Sequence, residues 1–172
     1  MSHADNLDPS ALSTTETSSH PDICITASSP PPDESQPIQY QIEYLARTTF
    51  VLVRNEDAPP WLEDHISEHF KAEFDNISQP QTWQQQKDLF RKFHQDPNYS
   101  ANLLSVSVNV REHGTHADAY MLIETVGRPG PDIRRQNMAV QKWWRRDGEW
   151  QLHHIHTMRG GSGLNDSLNM GQ

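Results

Sequence analysis

The stretch KWWRRDGEWQLHHIHTMRG, residues 142–160, constrains this chain more than any other. Asp147-Gly148 separates two apolar runs, and Asp-Gly readily adopts the left-handed backbone of a two-residue hairpin turn. The flanks therefore predict two antiparallel strands, roughly 135–146 and 149–158. A two-residue turn pairs Trp143 with Leu152, whereas a loop one residue longer sets Trp144 opposite Trp150. The sequence leaves both registers open.

Upstream, Leu104, Val106, Val108 and Val110 alternate with Ser105, Ser107, Asn109 and Arg111, the pattern of a half-buried strand. A turn around His113-Gly114-Thr115 leads into AYMLIETV, a further strand, and RPGPD is rich in turn formers. Before Pro97 the apolar spacing is helical. In IQYQIEYLARTTFVLVRNED it falls on Ile42, Leu45, Ala46, Thr49, Leu52 and Val53. Pro59 and Pro60 close that helix and open a second, WLEDHISEHFKAEFD, with Trp61, Leu62, Ile66, Phe70 and Phe74 on its buried side. NISQPQ reads as a polar link to a third helix over 82–95, with Thr82 as N-cap and Leu89, Phe90 and Phe93 as its stripe. Helices first and strands afterwards predict an α+β domain, with three N-terminal helices packed on a curved antiparallel sheet.

Composition sets the limits of that domain. Residues 1–37 are dominated by Ser, Thr, Pro and Asp and contain no Lys or Arg. Such a segment buries too little apolar surface to offset its ordering entropy, which predicts a disordered acidic tail. The folded domain is expected over 38–161, followed by a flexible tail over 162–172. Without the tail's six acids, 17 acidic residues face 14 basic ones, so the domain lacks the basic face that nucleic-acid binding needs. No apolar run is long enough to span a membrane, and the single cysteine, Cys24, falls in the tail. These features predict a cytoplasmic protein with no nucleic-acid or membrane partner.

The element order and the hairpin KWWRRDGEWQLHHIHTMRG resemble the SnoaL-like proteins of the nuclear-transport-factor-two-like superfamily, over about residues 38–161. WLEDHISEHFKAEFD and TWQQQKDLFRKFHQDPNY are similar to fungal members associated with secondary metabolism. The resemblance implies a cone-shaped α+β barrel, a homodimer, and a cavity between sheet and helices for a small hydrophobic ligand. It implies cofactor-independent cyclisation, isomerisation or dehydration of a polyketide- or terpenoid-derived intermediate. Ligand-binding and dimerisation modules share the same fold, which by itself settles no activity.

Strand parity narrows the candidate chemistry. In QLHHIHT, Trp150 and Leu152 share a face with His154 and His156, while His153 and Ile155 take the other. If the tryptophan face looks inward, His154 and His156 become acid/base candidates that titrate near neutrality, with Asp64 as an orienting carboxylate. A metal would need a third ligand. Glu124 is the nearest candidate, but it points away if Ala119, Met121 and Ile123 face inward, so no metal and no cofactor are expected. His65 to His69, HISEH, matches a short zinc-peptidase pattern, for which a charged surface helix is the simpler reading.

Overall fold

The Asp147-Gly148 turn takes the tight form. The computed structural model describes residues 25–26, 28–54, 59–128 and 130–162. In it Asp147 and Gly148 have φ of 53° and 91°, the left-handed pair that a type I′ turn requires. Arg146 pairs with Glu149, Arg145 with Trp150 and Trp143 with Leu152. The two-residue register sends Trp143 into the core at 0% exposure and leaves Trp144 at 42%.

The described residues form three α-helices and six strands: α1 (Ile38–Arg54), α2 (Pro60–Asp64), β1 (Ile66–Phe74), β2 (Ile77–Gln81), α3 (Trp83–His94), β3 (Ser100–Arg111), β4 (His116–Val126), β5 (Arg134–Arg146) and β6 (Glu149–Ser162). The sheet order is β2-β1-β6-β5-β4-β3. All neighbours run antiparallel except β1 and β6, which are parallel. Helix α1 packs on β3 and β4, and α3 packs on α1 and β1. This is the expected α+β cone of helices on a curved sheet.

Local pattern explains the helices. Ile42, Leu45, Ala46 and Thr49 of α1 are buried, and the Thr48 and Thr49 hydroxyls donate to the Tyr44 and Leu45 carbonyls at 2.7 and 2.8 Å. Thr82 caps α3 in a reciprocal capping box with Gln85, satisfying two otherwise free backbone donors. The Glu63 carboxylate at the end of α2 accepts from Trp83 Nε1 at 2.8 Å and Lys87 Nζ at 2.7 Å, tying α2 to α3. The expectations for the Leu52 and Val53 side chains, for Cys24 with the rest of 1–24, and for 163–172 lie outside the described residues. The later part of the Ser/Pro-rich segment is held against the domain. Ser29 and Pro30 carbonyls accept from Trp61 Nε1 and Tyr44 Oη at 2.8 and 2.7 Å.

Two local expectations are corrected. Only Pro60–Asp64 of the second predicted helix is helical, and the chain from Ile66 is strand β1. Ile66, Phe70 and Phe74 are spaced by four, a separation that also places them on one face of a strand. The buried Ala72 between exposed Lys71 and Glu73 shows the period of two that is realised. The supposed link NISQPQ then supplies β2, which pairs back on β1. In β3, Leu103 pairs with Ile123 and Ser105 with Leu122, so Leu104 is an unpaired bulge residue at 46% exposure. Val106, Val108 and Val110 remain packed on the core.

The register carries a direct prediction. Trp143→Ala should cost roughly 3–5 kcal/mol in urea unfolding, as for a fully buried tryptophan. Trp144→Ala should cost under about 1 kcal/mol, as for a surface site. Equal losses would contradict the two-residue register.

Candidate functional site

The site is a cavity of about 680 Å³ between α1, α3 and the inner face of the sheet. Its position follows from β5 and β6. Strand β5 pairs with β4 without interruption, so Arg135, Asn137, Ala139, Gln141 and Trp143 all point to the helix side. Strand β6 does not keep its parity. Trp143 pairs with Leu152 but Lys142 pairs with His154, leaving His153 as an extra residue. The bulge turns the following side chains over as far as Arg159, beyond which the register shifts again. Trp150 and Leu152 face the core before it, and Ile155, Thr157 and Arg159 face the cavity after it.

This geometry corrects the placement expected for the histidines. His154 and His156 lie on the outer face, beside Glu73 of β1 and Asp75 in the turn after it, with Nε2 to carboxylate distances of 3.3 and 3.5 Å. Their ring centroids are 6.5 Å apart, and neither lines the cavity. His153 stacks on Trp144 with centroids 3.8 Å apart. Burial against that ring, and then the positive neighbours around it, push the His153 imidazole below its usual value. Asp64 ends α2, is exposed, and does not line the cavity. The proposed triad of His154, His156 and Asp64 is therefore not brought together at the cavity.

Other candidates resolve similarly. Ala119 and Met121 are buried and Ile123 lines the cavity, which sends Glu124 outward to an ion pair with Arg134 at 3.1 Å. His65 sits at the C-cap of α2 with Nδ1 2.7 Å from the Trp150 carbonyl, and His69 is exposed on β1, so the HISEH spacing is not helical. Among the described residues no three His, Cys, Asp or Glu side chains gather as a metal site, and no helix is long and apolar enough to cross a membrane. Tyr44 and Thr48 serve packing: the Tyr44 hydroxyl reaches Pro30, and burial raises its pKa.

The cavity has an apolar interior and a polar mouth. Met121, Ile123, Ala139, Ile155 and Phe74 form the sheet-side wall, with Phe50, Leu89, Phe90 and Phe93 from the helices. Gln141, 1% exposed, also contributes to the wall. Its Oε1 accepts from Trp143 Nε1 at 3.1 Å. An indole N–H can only donate, so this bond fixes the amide and directs Nε2 away as a free donor. Asn137 donates to the Thr125 hydroxyl at 2.9 Å. Arg128, Arg135, Arg159 and Asp96 also line the cavity, Arg128 and Arg159 on the exposed side and Arg135 and Asp96 half-buried. Asp96 is held by the Asn98 N–H at 3.0 Å and lies 3.9 Å from Arg128. Among the described residues Asp96 is the one lining carboxylate, and no histidine lines the cavity. Sequence reasoning missed Arg135, Asn137 and Gln141. Their signal was the parity they share with Trp143.

No family model and no curated protein matches this chain. Solved structures do. An NTF2-like protein of unknown function from Pseudomonas putida superposes with a TM-score of 0.55 at 17% identity, over 73% of this chain and 94% of its own. A hexachlorocyclohexane dehydrochlorinase from Novosphingobium barchaimii gives 0.55 at 13% identity, over 72% and 89%. A putative ketosteroid isomerase from Shewanella frigidimarina gives 0.52 at 10% identity, over 66% and 91%. Identities at this level speak for architecture, and with the six-stranded cone they show that the chain has the nuclear-transport-factor-two-like fold.

Proposed function

We propose that this chain binds a hydrophobic, ring-containing small molecule in the cavity between the sheet and helices α1 and α3. The observation that carries this reading is an apolar wall enclosing about 680 Å³, interrupted by the donor on Gln141. Sites for small molecules are concave, mostly apolar, and oriented by a few polar groups. A polyketide- or terpenoid-derived compound has the required shape and apolar surface.

N-phenylnaphthylamine, a neutral dye that brightens in apolar surroundings, tests this directly. It should bind the full chain, and Thr157→Phe, which fills the cavity from the sheet wall beside Ala139, should weaken binding at least about tenfold, or about 1.4 kcal/mol. His154→Ala and His156→Ala should leave it unchanged. Loss of binding in the histidine variants, with none in Thr157→Phe, would overturn the cavity reading.

A second reading makes the same cavity catalytic, by isomerisation, cyclisation or dehydration in secondary metabolism. It is favoured by the Asp96 carboxylate and the free Gln141 amide donor on one cavity. Asp96 would move the proton while Gln141 stabilises a developing oxyanion. The fold shared with a putative isomerase and a dehydrochlorinase supports proton-transfer chemistry as the class. With a turned-over intermediate in hand, Asp96→Asn should abolish product while dye binding persists. Full turnover by that variant would remove the mechanism.

The homodimer belongs to the same proposal. On the outer face Tyr120 pairs with Val140 and Leu122 with Met138, a contiguous apolar patch in which Tyr120 and Met138 are 38% and 44% exposed. Apolar patches of this kind are commonly association surfaces. Sedimentation should give a dimer for the wild type and a monomer for Tyr120→Glu. A wild-type monomer at all concentrations would contradict it.

A further inference from the structure

We infer that the cavity takes an apolar acid, with its anionic group held at the opening by Arg135 together with Arg159. This rests on the cavity being the binding site and names the class of ligand it selects.

Four arginines elsewhere in the domain are matched by acids, while Arg145, near the hairpin turn, donates to the Gly148 carbonyl and lies over the Trp150 ring. Arg111 holds Asp118 at 3.0 and 3.1 Å, Arg134 holds Glu124 at 3.1 Å, and Arg47 and Arg91 hold Glu43 and Asp88 at 2.8 and 2.7 Å. Arg135 differs. It is half-buried on the inner face, its Nε is buried without a hydrogen-bond partner, and no carboxylate among the described residues pairs with it. A buried guanidinium N–H left without an acceptor is costly, and the chain has nine more acids than bases from which a partner could have come.

The neighbouring charge makes the arrangement more specific. Arg159 lines the same opening from β6. It pairs with Asn137, which places it diagonally across the ladder from Arg135, within reach of long side chains. Gly160 holds β6 close here: a Cβ on it would overlap the Gln136 carbonyl. Two like charges on one face repel each other unless an anion stands between them. Arg128, the third lining cation, leans on the Phe93 ring at 4.4 Å and on Asp96 at 3.9 Å, so its charge is partly matched. Among the described residues no carboxylate pairs with the side chain of Arg135 or Arg159, and Arg159 meets Asp75 only through its backbone N–H, at 3.0 Å. The planar guanidinium fork suits carboxylate and related oxyanions, and the apolar wall behind it suits a hydrophobic body.

A matched pair of dyes separates this inference from cavity binding itself. Anilinonaphthalene sulfonate and N-phenylnaphthylamine share one ring system and differ by the sulfonate. Both are titrated into the full chain and into Arg135→Gln and Arg159→Gln, with cavity occupancy checked by Thr157→Phe. The sulfonate should bind the wild type at least about tenfold more tightly than the neutral dye, and added salt should reduce that preference. Arg135→Gln should remove most of the preference while neutral-dye affinity stays the same, and Arg159→Gln should reduce it in part. Equal wild-type affinities, or a preference that survives both substitutions, would overturn the anion assignment and leave the cavity as a binding site. If neither dye binds, both the assignment and the cavity reading fall.

Discussion

The pairing of β5 with β6 carries the rest of the structure, and its decisive detail is one extra residue in β6. Up to Leu152 the hairpin is regular, and Trp143, Trp150 and Leu152 are buried together in the core. At His153 the ladder skips, and the strand continues with its faces exchanged. A strand without the bulge would bury His154 and His156 and expose Ile155. Burying two imidazoles without partners is costly whereas burying an isoleucine is favourable, and the bulge lets each residue find a suitable environment. His154 and His156 meet Glu73 and Asp75 at the surface, while Ile155 and Thr157 complete the cavity wall.

The cavity is a consequence of small and polar residues on a face that elsewhere carries large apolar ones. Along β5 the inward positions run Arg135, Asn137, Ala139, Gln141 and Trp143. Trp143 fills its part of the cone. Ala139 cannot, and the space above it is spanned by α3 rather than filled by side chains. Gln141 is compatible with this interior because Trp143 satisfies its carbonyl oxygen. Its remaining donor is directed by a bond at its other end, the preorganisation that makes a polar group useful inside an apolar wall. The arginines at the opening keep access to water and can meet a charged group without carrying it into the core.

Much of this was legible in the sequence. The Asp-Gly turn, the alternation on β4 that turns Glu124 outward, the Thr82 cap and the apolar stripe of α1 each rest on a local rule that tertiary contacts did not override. The misplaced features share a cause. Ile66, Phe70 and Phe74 satisfy helical and strand periods equally, and the choice was made by an available edge on β6, which is not a local property. Bulges at Leu104 and His153 likewise depend on how two strands meet, and neither position carries a glycine or proline to announce it. Parity reasoning held on β4, where Glu124 points outward, and failed on β6 for that reason alone. Arg135, Asn137 and Gln141 stood in plain alternation with Trp143, but the open choice of hairpin register hid their direction.

The central claim is that the His153 bulge sets which side chains meet a bound molecule. Nuclear Overhauser contacts from bound N-phenylnaphthylamine to labelled methyl and imidazole groups measure this most directly. Contacts are expected to the methyls of Ile155, Thr157 and Ala139, and none to the rings of His154 or His156. Contacts to those two imidazoles, with Ile155 silent, would contradict it.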